Sequence, residues 1–273
     1  MGGPTDPDKT KAAAAYNFAA DHYDDNPLAF WARYGRRTVA RLDLAVGAEV
    51  LDVGCGSGAS ALPAAEMVGP RGHVVGVDLA ERLLELGRAK AANRGLINVE
   101  FRLGDMADLG FSDGAFDAVI SVFSIFFAAD IADQVRELWR MVRPGGKLAI
   151  TSWGPRLFEP VGSVWLEAVK RERPELCATG SPWDRLSDPE TLAALLREAG
   201  IAHAEVAAED GVQTLARPED WWTIVLGSGA RGRVEQMDPL HVARVRGATV
   251  GWLREHDVRE IETNVIYAVA TKD

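Results

Sequence analysis

The residues Glu49-Val50-Leu51-Asp52-Val53-Gly54-Cys55-Gly56-Ser57-Gly58-Ala59-Ser60 decide the fold. Val50, Leu51 and Val53 read as a short apolar strand, the alternate glycines as a turn, and the residues from near Ala59 as the start of a helix. Glycine adopts positive φ without strain and lets main-chain N–H groups approach a ligand where a Cβ would collide. The turn is therefore predicted to be a binding loop. Gly54, Gly56 and Ala59 also satisfy the GxGxxG/A dinucleotide pattern, which alone is weak evidence for any one ligand. Asp52 discriminates, because a carboxylate just ahead of the loop repels a pyrophosphate and suits a ligand that carries an ammonium group. About twenty residues on, Val74-Val75-Gly76-Val77-Asp78 is a second apolar strand ending in an acid, at the position that binds ribose hydroxyls. The two acids fit a nucleoside with a cationic tail.

These residues resemble the class I S-adenosylmethionine (SAM) methyltransferases, whose first motif reads like Leu51 to Gly58 and whose second ends on an acid like Asp78. The likeness extends to Gly104-Asp105-Met106 after a third strand over Val99 to Leu103. It continues in Phe116-Asp117-Ala118-Val119-Ile120-Ser121 as a fourth strand and in Arg143-Pro144-Gly145-Gly146-Lys147-Leu148 before a fifth. The resemblance implies an α/β, Rossmann-like sheet of seven strands with the last antiparallel. It also implies SAM lying across Gly54 to Gly58, the ribose on Asp78, the adenine near Asp105 and Met106, and the amino acid end toward Asp52 and Tyr23. The spacing of Tyr16, Ala20, Tyr23 and Asp24 is similar to the segment that closes over the cofactor in ubiquinone/menaquinone-biosynthesis-like methyltransferases. The candidate cofactor contacts are Tyr16, Tyr23, Asp52, Gly54, Cys55, Gly56, Gly58, Asp78, Leu79, Asp105, Met106, Ser121 and Phe123.

The rest of the chain sorts around that core. The expected organisation is an N-terminal helical lid (1–35), the SAM-binding core (36–152, resumed at 187–212 and 259–273) and a discontinuous cap made of insertions 153–186 and 213–258. A helix is predicted over Lys11 to Ala20, a sixth strand over Ile201 to Ala208 and a seventh over Asn264 to Thr271. Trp153 to Leu186, rich in proline and aromatics, is predicted to be irregular. Arg217 to Asp257 is too long for a hairpin loop and is predicted to hold two helices, Glu219 to Gly227 and Pro239 to Glu255.

At 273 residues the chain can bury one sizeable core. A formal charge of −10 and a pI near 5.1 argue against a phosphate-backbone partner, so no nucleic acid is expected. No run of about 18 apolar residues offers a membrane span, and Met1 to Thr10 lacks the apolar stretch of a signal peptide, so the expected location is cytoplasmic. The two cysteines, Cys55 and Cys177, give no disulfide framework or zinc spacing, and no metal is expected. The oligomeric state stays open, a homodimer included.

Ligands of open parallel sheets sit outside the carboxyl ends of the strands, so the run Phe123 to Phe127 after the fourth strand should face cofactor and acceptor. The Asn/Asp-Pro-Pro-aromatic stretch of base-methylating enzymes is absent there, which removes support for a nucleobase acceptor. Phe126, Phe127, Trp183, Trp221 and Trp222 are the candidate acceptor contacts, and an apolar or aromatic small molecule methylated on oxygen or carbon is the expected substrate. His22, Asp184 and His241 are candidates for a general base. Two other readings compete: a non-catalytic module that binds SAM or its product, and a nicotinamide-dependent oxidoreductase kept open by the GxGxxA overlap.

Overall fold

The computed structural model describes residues 7–177 and 180–273. Among these, nine strands form: β1 (Glu49–Val53), β2 (His73–Asp78), β3 (Val99–Leu103), β4 (Phe116–Val122), β5 (Val142–Trp153), β6 (Glu205–Glu209), β7 (Val212–Thr214), β8 (Glu260–Glu262) and β9 (Val265–Thr271). Seven of them make one sheet in the order β3-β2-β1-β4-β5-β9-β6, in which β9 alone runs opposite to the other six. β1 lies in the middle, with Leu51 opposite Val75 on one side and Val119 on the other. Its last four residues are buried, as expected of a strand covered on both faces.

Ten helices of the described residues surround the sheet: α1 (Pro7–Ala19), α2 (Phe30–Ala40), α3 (Ala61–Val68), α4 (Glu81–Asn93), α5 (Ile131–Met141), α6 (Val161–Glu172), α7 (Pro189–Glu198), α8 (Asp220–Leu226), α9 (Arg231–Val234) and α10 (Pro239–Glu255). Their starts follow local chemistry. The Asp188 carboxylate accepts the Thr191 N–H ahead of Pro189, and Asp238 accepts the Leu240 and His241 N–H groups ahead of Pro239. Gly35 lets α2 press on the binding loop, since a Cβ there would stand 2.3 Å from the Ala59 carbonyl oxygen.

The structure departs from the sequence reading at five places. Arg143 to Leu148, expected ahead of the fifth strand, lies inside β5, because the Gly145 N–H donates to the Lys272 carbonyl and the Gly146 carbonyl accepts the Lys272 N–H. α1 begins at Pro7, four residues before the predicted Lys11. Trp153 to Leu186 is not irregular throughout: Val161, Trp165, Ala168 and Val169 recur at helical spacing and are the buried stripe of α6, which packs on α10. The sixth strand is Glu205–Glu209 rather than Ile201 to Ala208, because the Ile201 N–H closes the end of α7 on the Leu196 carbonyl before the strand can begin. A second ladder also forms, β7 with β8, pairing Val212 with Glu262 and Thr214 with Glu260. It ties the neck of the long insertion, where the chain leaves the sheet after β6 and returns to it before β9.

Candidate functional site

The loop after β1 is fixed by backbone hydrogen bonds. Gly54 and Cys55 both donate their N–H to the Val77 carbonyl, at 2.8 and 3.1 Å, and Gly56 donates to Asp78 Oδ2 at 2.8 Å. Gly54 has φ +71°, and a Cβ on it would stand 2.2 Å from Ser124 Cβ, so neither the conformation nor the space admits another residue. Asp78 Oδ1 accepts the Ala80 N–H at 2.8 Å. Burial pushes this carboxyl above its ordinary range against the opposing pull of those amides. A single acid therefore joins the glycine loop to the start of α4.

A cleft of about 750 Å³, counting its open mouth, runs along the carboxyl ends of β1, β2, β3 and β4. Gly54, Gly56, Asp78 and Leu79 line its floor, and Asp105 and Met106 line one end. There Asp105 is held by the Ala107 N–H at 2.9 Å and by Lys9 Nζ, while the Met106 carbonyl accepts from Gln134 Nε2 at 2.7 Å.

The opposite wall is aromatic. Tyr16 of α1 meets Tyr23 and Phe127 edge-on, with ring centroids 6.3 and 5.9 Å apart. Tyr23 stacks on Trp31 at 5.2 Å, and Trp31 stands edge-on to Phe123 at 5.6 Å. Phe123 holds a positive φ of +54°, unusual for a residue with a side chain, at the end of β4. Its N–H bonds the Thr151 carbonyl at 2.8 Å and its ring stacks on Trp153 at 3.9 Å, which keeps it there. Burial, then the Asp78 charge, raises the Tyr16 phenol; burial, then the neighbouring Tyr16, raises that of Tyr23, so both are neutral at ordinary pH.

The structure brings together Tyr16, Tyr23, Gly54, Gly56, Asp78, Leu79, Asp105, Met106, Phe123 and Phe127 around this cleft. It sets the other candidates apart. Asp52 is fully buried behind the loop, where Ser60 Oγ donates to Oδ2 at 2.7 Å and Oδ1 has no partner. Burial lifts its carboxyl to about 7. Cys55 turns toward Gly76 under the loop, and Gly58 is packed against Leu62 and Phe101. Ser121 Oγ lies 2.7 Å from Ser124 Oγ, which donates to the Val53 carbonyl at 2.6 Å; this pair braces β4 against β1.

Among the acceptor candidates, Phe126 is buried against Trp183, and Trp221 is buried against Phe158 and Trp165. Trp222 is buried in α8 and is not among the residues lining the cleft. His22 pairs with Asp25, His241 with Asp238, and Asp184 caps its own turn on the Ser181 N–H. None of these three lines the cleft.

Several lining residues escaped the sequence reading, Trp31 and Lys9 among them. Trp31 stood in an aromatic run, Phe30 to Tyr34, whose inward face spacing alone does not resolve. Lys9 precedes the predicted start of the first helix.

The donors and acceptors fit SAM. The cleft offers an acid at the end of β2 for a ribose diol, a second acid at the end of β3 for a purine amino group, a glycine loop no Cβ would permit, and apolar walls. Residues 50–146 match the family model of a methyltransferase domain. The chain is 36% identical over 202 residues to nocamycin O-methyltransferase of Saccharothrix syringae, covering 69% of this chain and 71% of that relative. It is 37% identical over 117 residues to demethylmenaquinone methyltransferase of Listeria monocytogenes, covering 43% of this chain and 49% of the relative. The crystal structure of a Bacillus halodurans protein described as a methyltransferase shares the fold, with a TM-score of 0.58 at 21% identity over 86% of this chain and 97% of that one. These matches place the chain in one class, enzymes that transfer a methyl group. The chain belongs to the SAM-dependent methyltransferases, and SAM is its cofactor. The nicotinamide and non-catalytic readings give way to it. No helix among the described residues is long and apolar enough to cross a membrane.

Proposed function

We propose that this enzyme methylates an oxygen of a small, mainly apolar or aromatic acceptor that is itself acidic, such as a phenol, an enol or a carboxylic acid. The observation that carries the reading is the make-up of the cleft: an acid-lined floor faces a wall of Tyr16, Tyr23, Trp31, Phe123 and Phe127. Bound SAM supplies an electrophilic methyl group. Asp78 and Asp105 fix the ribose and purine, and the glycine loop carries the amino acid end. The aromatic wall holds the acceptor by its flat face and keeps water away, and such positioning supplies much of the rate.

The titratable side chains lining the cleft, among the described residues, are Lys9, Tyr16, Tyr23, Asp78 and Asp105. The two aspartates are engaged with backbone amides and the two phenols are neutral, so none is a free base at the aromatic wall. An acceptor that enters already ionised needs none. Oxygen rather than carbon is favoured because the match to nocamycin O-methyltransferase spans 202 residues, longer than segment 36–152, and so extends beyond the core. In this reading the described part of 1–35 is the lid, and the described part of 153–186 with 213–258 forms the cap that supports the aromatic wall; 1–6 and 178–179 lie outside the described residues.

Labelled SAM and a panel of phenols, enols, carboxylic acids, amines and unactivated alcohols test this, with products read by mass spectrometry. Methyl ethers or esters of the acidic acceptors are expected, with kcat/KM rising toward the pKa of each acceptor. Transfer to amines or to unactivated alcohols at comparable rates overturns the reading.

A further inference from the structure

The ion pair between Lys9 and Asp105 closes the purine end of the cleft and has no part in the account above. Lys9, in the first turn of α1, places Nζ 2.9 Å from Asp105 Oδ2 and 3.2 Å from Oδ1. The Ala107 N–H takes Oδ1 as well, at 2.9 Å, so both carboxylate oxygens are engaged. Lys9 and Asp105 both line the cleft, and Lys9 is the only cationic side chain among the described residues that do. Its place in the helix is unfavourable on local grounds, since a cation in a first turn meets the positive end of the helix dipole. The two side chains are 22% and 34% exposed, so water screens the pair only in part.

We propose that Lys9 competes with the purine of SAM for Asp105. Lys9 holds the carboxylate until SAM enters, then gives it up to the purine amino group, so cofactor entry and release of the first turn of α1 are one event. The inference rests on Asp105 being the acceptor for that amino group. With the ammonium astride both oxygens and the Ala107 N–H on Oδ1, three of the carboxylate's roughly four lone-pair sites are taken, so a purine amino group competes with the ammonium for the same two oxygens. The far end of α1 need not move with it. Tyr16 stays packed on Tyr23 and Phe127 two turns along, so the helix pivots at its aromatic end while its first turn lifts. Lys9 then acts on the rate and strength of cofactor binding without touching the aromatic wall that receives the acceptor.

Stopped-flow fluorescence and calorimetry with S-adenosylhomocysteine, on the full chain, test the proposal. Lys9→Met is expected to bind faster and about two- to fivefold more tightly than the unsubstituted protein, the size of a partly exposed ion pair. Raising NaCl from about 0.05 to about 0.5 M should narrow that gap by screening the pair. Asp105→Ala is expected to weaken binding at least about fivefold, and in that background Lys9→Met should change nothing. Unchanged or weaker binding in Lys9→Met, with Asp105→Ala weakened, overturns the competition and leaves Asp105 as the purine acceptor. Unchanged affinity in Asp105→Ala overturns both.

Discussion

The floor and the far wall of the cleft are held by different forces. The floor is backbone: Gly54 and Cys55 on the Val77 carbonyl, Gly56 and Ala80 on the Asp78 carboxylate. The wall is a chain of rings from Tyr16 through Tyr23, Trp31 and Phe123 to Trp153, meeting edge-on or stacked. Hydrogen bonds of fixed geometry make the floor a rigid mould for one ligand. Ring contacts can be re-packed at modest cost, so the wall can be refitted to different acceptors while the floor stays the same. Behind the wall lies a third layer, the interior of the proposed cap, in which Trp221 packs on Trp165 and Phe158.

The largest expected effect separates that layer from the wall. Trp221 is 1% exposed, and Trp221→Ala should cost about 3 to 5 kcal/mol of stability in urea unfolding. Affinity for S-adenosylhomocysteine should stay within about twofold, because the floor does not depend on the cap interior. A variant of native stability whose only defect is a raised acceptor KM would place Trp221 in the wall instead.

A pH effect is next in size and concerns the floor. Burial raises the Asp52 carboxyl to about 7 from an ordinary value of 3.8. The folded state then holds a proton that the unfolded chain has released, so this group's contribution to stability is complete below about pH 4 and is lost as pH rises to about 7. The amide of Asp52→Asn does not titrate and contributes no such dependence. Across that window the unsubstituted protein should lose stability relative to Asp52→Asn by up to about 1.4 kcal/mol per pH unit. Parallel curves for the two proteins would mean that Asp52 is ionised in the fold, with its unpartnered Oδ1 satisfied in some other way.

The floor was legible in the sequence because glycines and acids at fixed spacing admit few backbone paths. Gly54, Gly56, Asp78, Asp105 and Met106 all fall around one cleft. Asp52 shows the limit of that reading, since position along a strand does not say which way a side chain turns. The strand from Glu49 to Val53 formed where expected, yet the Asp52 carboxylate lies against Ser60 rather than in the cleft. The cap was less legible. Tryptophans line pockets and fill interiors equally well, and composition does not distinguish Trp31 at the cleft from Trp221 beneath it. α6 is hard to read although its buried residues sit at helical spacing, because proline and aromatics on both sides suggest a broken chain. The pairing of β7 with β8 joins residues far apart in sequence, and short strands of this kind carry no local pattern.

Asp78→Asn sharpens the floor side. Asparagine keeps the shape but replaces one oxygen by a donor, which then opposes either the Gly56 or the Ala80 N–H. About 1.5 to 3 kcal/mol of S-adenosylhomocysteine binding should be lost by calorimetry, with a lowered melting temperature. Lost affinity at unchanged stability would mean that the acid serves the ribose alone and does not brace the loop.

The smallest expected effect is at the histidines. His241 Nδ1 lies 2.6 Å from Asp238 Oδ2, and Asp238 already caps α10 by accepting the Leu240 and His241 N–H groups. His22 Nδ1 lies 2.9 Å from Asp25 Oδ2 on the surface. Each ring thus has a local partner, and neither lines the cleft. An exposed pair of this kind contributes little to stability because water screens it. His22→Gln and His241→Gln should therefore melt close to the unsubstituted protein, bind S-adenosylhomocysteine equally well and keep kcat/KM within about twofold on any acidic acceptor. A large fall in kcat for His241→Gln, with binding and melting intact, would break the division between wall and cap. It would require α10 to swing against the cleft during turnover and the imidazole to take the acceptor proton. The dependence on acceptor acidity would then disappear as well, since an enzyme with its own base no longer needs an acceptor that arrives ionised.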